Sequence, residues 1–331
     1  MNVSLPKILT KNMLNRRILR IKAFKVLYSS VLAGNMSLAD AESQLELSCE
    51  AARDLYIYML GIISPLTKIA KDRIEAAKAK FNPTEEERNP NMKFAENGLA
   101  KLIDADEDFQ KLFKKKKFDW SQYDLLLKKV MTSVASKDYF AEYMASPDTS
   151  LAEDCKLFTR IFEEEFVDSE ELEMILEDKS LYWNDDLAYS LTWCCKTLNG
   201  FAKGEGWSLL PLYQSEMIKG EGVESDKYFV RKLLQSSFAG YERYSAMVSE
   251  SVSGWEKERL FSTDVVLIVM GLAEAASFPT IPVKVTMNEY VEISKFYGTP
   301  KSRAFVNGLL DKLIQQLVNE GQIKKEGKGL L

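Results

Sequence analysis

Arg16, Arg17, Arg20, Lys22 and Lys25 fall within one ten-residue window, and the first acid of the chain is Asp40. Cations at this density, with no carboxylate beside them, are chemistry for anions. The planar donor fork of arginine matches a phosphate, and lysine adds a point charge. Tyr28 follows about two turns beyond Arg20 and offers a stacking or hydrogen-bonding surface. Net charge is −5, but the mean hides a polarised chain: residues 1–39 hold seven Lys/Arg and no acid, whereas 151–186 hold thirteen acids and three bases. The distribution says more about partners than the sum does.

Other chemistries are absent. The chain has no histidine, which removes the commonest general base and the commonest metal ligand. The four cysteines, Cys49, Cys155, Cys194 and Cys195, make no CxxC pair and no zinc spacing. They read as small core residues of a reduced, cytoplasmic protein. No enzyme, metal or cofactor is expected. Uncharged runs such as 55–67 fall short of the roughly 20 residues a membrane span needs, and the N-terminus does not read as a signal peptide.

The basic window has to be carried by a helix. The spacing predicts one from Asn15 to Ala33, closed by Gly34-Asn35. At about 100° per residue, Ala23, Phe24, Leu27 and Val31 share an apolar arc. Arg16 and Arg20 fall in the same arc, Arg17 sits at its edge, and Lys22 and Lys25 lie on the outer face. Guanidiniums cannot be buried unpaired, so the helix is expected to project beyond its bundle there. The competing reading is an ordinary solvated helix end, made less attractive by the lack of any acid in the stretch.

Composition supports helices throughout: 46% hydrophobic, 11% aromatic, only 16 glycines and 9 prolines in 331 residues. Helices are expected at 38–47, 51–63, 66–80, 110–117, 123–131, 137–144, 152–166, 170–177, 185–197, 226–239, 240–253, 261–276, 283–297 and 302–318. The Pro/Asn/Glu cluster 82–91 reads as a loop, as do the glycine-bearing segments 204–206 and 219–222. The fold class is all-α.

The second informative stretch is FPTIPVKVTMNEYVEISKFYGTPKSRAFVNGLLDKL, 278–313. Pro282 opens one helix and Gly298 ends it. Ser302 is a candidate cap for the next, on which Val306, Leu309, Leu313 and Leu317 recur. Gly308 inside that helix costs roughly 1 kcal/mol against alanine, which close approach of another backbone would explain.

This segment resembles the C-terminal signature of the NusB family. The matching residues are Pro282, Val285, Asn288-Glu289, Glu292, Gly298, Ser302 and Phe305-Val306-Asn307-Gly308-Leu309-Leu310-Asp311-Lys312, with Tyr297 where the family often has Phe. The opening stretch resembles the family's other end: Arg16, Arg17 and Arg20, then Ala23, Leu27, Tyr28 and Ser29. The resemblance covers about 14–63 and 226–318. It implies a NusB-like helical bundle of two small subdomains with an additional helical insertion: 1–65 as N-terminal helices, 66–220 as the insertion, 221–331 as the C-terminal subdomain. Met13 stands where the family's start would be, with 1–12 as an extension or a misassigned start.

The resemblance further implies a non-catalytic transcription antitermination factor. Such a factor pairs with the ribosomal protein NusE, binds boxA-type single-stranded RNA, and acts through RNA polymerase and other Nus factors, notably in ribosomal RNA synthesis. Carried over by position, Arg16, Arg17, Arg20, Lys22, Lys25, Tyr28, Lys301, Ser302 and Phe305 are the expected RNA-binding set. Tyr28 and Asp264 are the expected NusE contacts. Glu274 matches a family glutamate, while Lys301 stands where some members have an acid. A homodimer is also compatible, since some members self-associate and hide this surface. The alternatives are a helical scaffold whose basic helix binds an acidic protein, or an accessory protein of an RNA-modifying system.

Two further stretches have an ordinary surface reading beside a functional one. Lys114–Lys117 with Trp120 reads either as a second RNA surface or as a solvated helix end beside a core tryptophan. The acids Glu163–Glu165, Asp168, Glu170 and Glu171 lack EF-hand spacing and read as a solvated face.

Overall fold

In the computed structural model the described residues are 13–213, 225–252 and 262–330. Among them there is no strand, and the fold is all-α. The segment 219–222, the extension 1–12 and the expected helix ends at 253 and 261 lie outside the described residues. The helices are α1 (Arg16–Ala33), α2 (Leu38–Leu60), α3 (Ile63–Lys78), α4 (Glu85–Arg88), α5 (Gly98–Ala105), α6 (Glu107–Lys115), α7 (Asp124–Ala135) and α8 (Asp138–Ala145). They continue with α9 (Leu151–Ile161), α10 (Glu170–Lys179), α11 (Leu187–Ala202), α12 (Asp226–Ser251), α13 (Ser262–Ser277), α14 (Val283–Tyr297) and α15 (Ser302–Asn319).

The chain forms two compact units, one of Leu14–Cys49 with Pro211–Leu331, the other holding Glu50–Leu210. The division falls inside α2, earlier than the expected boundary after residue 65. The reason is packing. In the central unit Tyr58 stacks on Trp120 at 4.2 Å and on Trp183 at 5.4 Å, and Tyr56 shares a 2.7 Å hydrogen bond with Thr197. The second half of α2 therefore belongs to the core that the central segment builds. Trp120 is 2% exposed and donates its indole N–H to the Tyr58 carbonyl at 3.0 Å. It is a core residue beside exposed lysines, not a stacking platform.

The flanking unit is built around α13. Its sequence, STDVVLIVMGLAEAAS, is apolar on every face, the pattern of a helix buried on all sides. Val266 through Ala275 are all buried, each large side chain contributing about 1.5–3 kcal/mol. Helices α1, α12, α14 and α15 pack around it. Gly271 permits the close fit, because a β-carbon there would sit 2.7 Å from Leu310 Cδ2 and 3.3 Å from Tyr290 Cδ2.

Helix α1 starts where its cap predicts: the Asn15 side chain accepts the Ile18 N–H, and Gly34 closes the helix at φ 70°. Two expected breaks do not occur. Helix α2 runs unbroken to Leu60, and Pro65 sits in the first turn of α3, where its missing N–H costs nothing. Helix α12 continues through Gly240, where the Tyr244 ring lies over the space a side chain would fill. The close approach expected at Gly308 is not made by any described residue: a β-carbon there would meet nothing within 4 Å among them.

Candidate nucleic-acid interface

The arginines of α1 are answered by acids distant in sequence. Arg20 is 3% exposed and donates from Nε and Nη2 to the two carboxylate oxygens of Glu274, both at 2.7 Å. Glu274 is fully buried in the last turn of α13 and also accepts from Thr286 Oγ1 at 2.8 Å and Tyr290 OH at 3.1 Å. Arg17 makes a second bidentate pair, with Glu289 at 2.8 Å on each side, and Arg20 Nη1 lies 3.8 Å from the same carboxylate. Arg16 lies 3.7 Å from Asp226 and stacks over the Phe229 ring at 4.6 Å.

This corrects the expected exposure of the arginine end of α1. The helix does not project from its bundle at Arg20; that guanidinium is an interior cation, held by a carboxylate and over the Phe229 ring at 5.1 Å. Burial alone would lower its pKa, but the Glu274 charge and hydrogen bonds outweigh it and raise it. The Glu289 carboxyl shows the complementary effect: burial works to raise it, and the Arg17 bonds with the Arg20 and Arg17 charges hold it below its ordinary value. Lys22, expected on the outer face, is 1% exposed.

The exposed chemistry gathers elsewhere on the same unit. Lys25 is partly exposed and places Nζ 5.7 Å from the centre of the Tyr297 ring, which packs on Phe24 at 5.3 Å. Tyr28 is also partly exposed, stacks on Phe24 at 5.9 Å, and accepts a 3.3 Å hydrogen bond from Ser262 Oγ. Ser262 opens α13, and two residues on Asp264 accepts from Ser302 Oγ at 2.8 Å. Thus the first turn of α13 ties Tyr28 of α1 to the start of α15. Ser302 also accepts the Thr299 N–H at 2.7 Å, fixing the turn that presents Lys301.

Ser302 and Asp264 are themselves 1% and 2% exposed, so they hold this corner rather than face outward. Ser302 does not cap α15 in the expected way: its hydroxyl is committed to the turn and to Asp264. Burial pushes the Asp264 carboxyl up against the opposing Ser302 bond, and its Oδ1 has no hydrogen-bond partner among the described residues. Lys301 is exposed and Phe305 half-buried at the start of the next helix.

The residues missed by sequence reading are the arginine partners. One signal was available: a glutamate inside an apolar run such as MGLAEAAS needs a buried partner of opposite charge. Together the site offers Arg17's exposed edge, Lys25 and Lys301 as cations, with Tyr28 and Phe305 as aromatic surfaces. Among the described residues no helix is long and apolar enough to cross a membrane.

Comparison with known proteins agrees with this architecture. The family model described as the NusB family matches residues 210–315. The transcription antitermination protein NusB of Salinibacter ruber is 32% identical over 136 residues, covering 41% of this chain and 85% of that protein. That of Chloroherpeton thalassium is 32% identical over 105 residues, covering 32% of this chain and 50% of that protein. That of Alkaliphilus oremlandii is 26% identical over 103 residues, covering 31% and 75% respectively. No solved structure matches the chain. With α12, α13, α14 and most of α15 inside the matched segment, and most of the Salinibacter relative covered, the chain belongs to the NusB family.

Proposed function

We propose that this chain is a non-catalytic transcription antitermination factor that pairs with the ribosomal protein NusE and binds boxA-type single-stranded RNA. The observation that carries the reading is the corner where α1, the first turn of α13 and the start of α15 meet. Partly exposed cations and aromatics stand together there, over a core that fixes their positions. Single strands are held in this manner, by cations along the backbone and by rings under the bases.

In this reading Arg16, Arg17, Lys25 and Lys301 meet phosphates, and Tyr28 and Phe305 meet bases. Arg20, Lys22 and Ser302 are positioning residues, since each is buried. Tyr28 also joins RNA to NusE, and Asp264 serves NusE by holding the corner. The complex then acts in the cytoplasm through RNA polymerase and the other Nus factors.

The test is fluorescence anisotropy with a boxA-like RNA and a scrambled control, with and without the organism's own NusE. NusE is expected to tighten binding of the boxA-like RNA alone, and Lys25→Ala/Lys301→Ala to abolish that preference. Equal, weak binding of both RNAs that NusE does not change would defeat the reading.

A further inference from the structure

Helix α15 carries an outward stripe that begins at the corner, with Lys301 and Phe305, and runs on beyond it. Lys301 at its N-cap, then Phe305, Gly308 and Lys312, recur at i, i+4, i+7 and i+11 and so share one face. The opposite face, Val306, Leu309, Leu310, Leu313 and Leu317, is buried. Lys301, Gly308 and Lys312 are exposed and Phe305 is half-buried. No ion pair engages either lysine among the described residues. Asp311, the nearest acid in sequence, lies a quarter-turn or more away and accepts from Gln315 at 3.1 Å. The stripe is therefore cationic along its length.

Gly308 is the unusual member. Its backbone is helical, not left-handed, and a β-carbon would meet nothing within 4 Å among the described residues. Neither the backbone there nor the packing of the described residues calls for glycine, and alanine would favour the helix. What glycine does provide is a bare helix surface between two cations about 16 Å apart along the axis, at 1.5 Å per residue.

We propose that the RNA strand continues from Phe305 across Gly308 to Lys312. Lys301 and Lys312 meet successive stretches of phosphate, and the sugar–phosphate backbone lies directly on the uncovered helix at Gly308. This rests on the RNA-binding reading above and extends its footprint by two helical turns. Charge selects the occupant: a single strand supplies the anions that the stripe lacks, at the spacing of a continuous backbone.

The experiment uses the full chain, a boxA-like RNA oligonucleotide and anisotropy titrations across a salt series, with Gly308→Ala, Gly308→Leu, Lys312→Gln and, as a control on the corner, Lys25→Ala. Gly308→Ala is expected to raise the thermal midpoint while weakening RNA binding, and Gly308→Leu to weaken it further. Lys312→Gln is expected to flatten the slope of log affinity against log salt by about 0.7, the share of one phosphate contact on a single strand. If Lys25→Ala weakens binding while Gly308→Ala and Lys312→Gln leave affinity and slope unchanged, this inference is overturned and the corner keeps its role. If the Gly308 variants lose NusE affinity but not RNA affinity, the stripe is a protein-docking face and the inference is equally overturned. If the unaltered chain binds no RNA, the functional reading fails first and carries this one with it.

Discussion

Arg20→Met tests the buried pair at the centre of the flanking unit. The guanidinium is 3% exposed and its two bonds to Glu274 are each 2.7 Å. Charge centres about 4 Å apart attract by about 4 kcal/mol at an effective dielectric of about 20. Removing one member of such a pair strands the other in the core, which costs about 3–5 kcal/mol. Glu274 keeps its bonds from Thr286 and Tyr290 in the variant, which places the expected loss toward the lower end of that range. Urea denaturation at neutral pH, followed by far-UV circular dichroism, reads the change. The double variant Arg20→Met/Glu274→Leu should recover part of the loss, since an apolar pair can replace a buried ionic one. A loss below about 1 kcal/mol, the scale of a surface ion pair, would refute the burial of Arg20 and return it to the list of direct RNA contacts.

Three further outcomes follow from the same geometry. Glu289 has its carboxyl held below the ordinary value of 4.5 by Arg17 and Arg20; the unfolded chain then binds that proton more readily, so the stabilisation is present above about pH 4.5 and is lost as pH falls through the lower folded value. Acid titration of unfolding free energy should accordingly be flatter in Glu289→Gln. Gly271→Ala should destabilise by about 1–3 kcal/mol through overpacking against Leu310 and Tyr290, measured by the same denaturation. Trp120→Ala should cost about 3–5 kcal/mol in the central unit and leave RNA affinity unchanged, because that ring is enclosed by Tyr58.

Much of the fold was legible because local rules agreed with one another. Helix α14 runs from Val283 to Tyr297 as read, bounded by a proline and a glycine, and α1 begins at an asparagine cap and ends at a left-handed glycine. Glycine at 240 suggests a break, yet the Tyr244 ring one turn on in the same helix covers it, an i,i+4 relation within the reach of local pattern. At the arginines the deciding contact is distant. The arginines of α1 looked unpaired because their acids lie 254 and 272 residues away. The helical wheel places Arg20 on the core-facing arc, as the structure does, and the carboxylate that answers it stands in that core. Lys22 was misplaced because the wheel assumed one buried face, whereas Ile18 through Phe24 are buried on nearly every side. The corner formed by Tyr28, Ser262, Asp264 and Ser302 joins three elements, and only tertiary structure brings them together.

The most direct measurement of the central claim is ultraviolet cross-linking of a 4-thiouridine-substituted boxA-like RNA to the full chain in the presence of NusE, with the adducts located by mass spectrometry. The account predicts cross-links on the peptides holding Tyr28 and Phe305. Cross-links confined to residues 50–210, with none on α1 or α15, would contradict it and move the RNA site to the central unit.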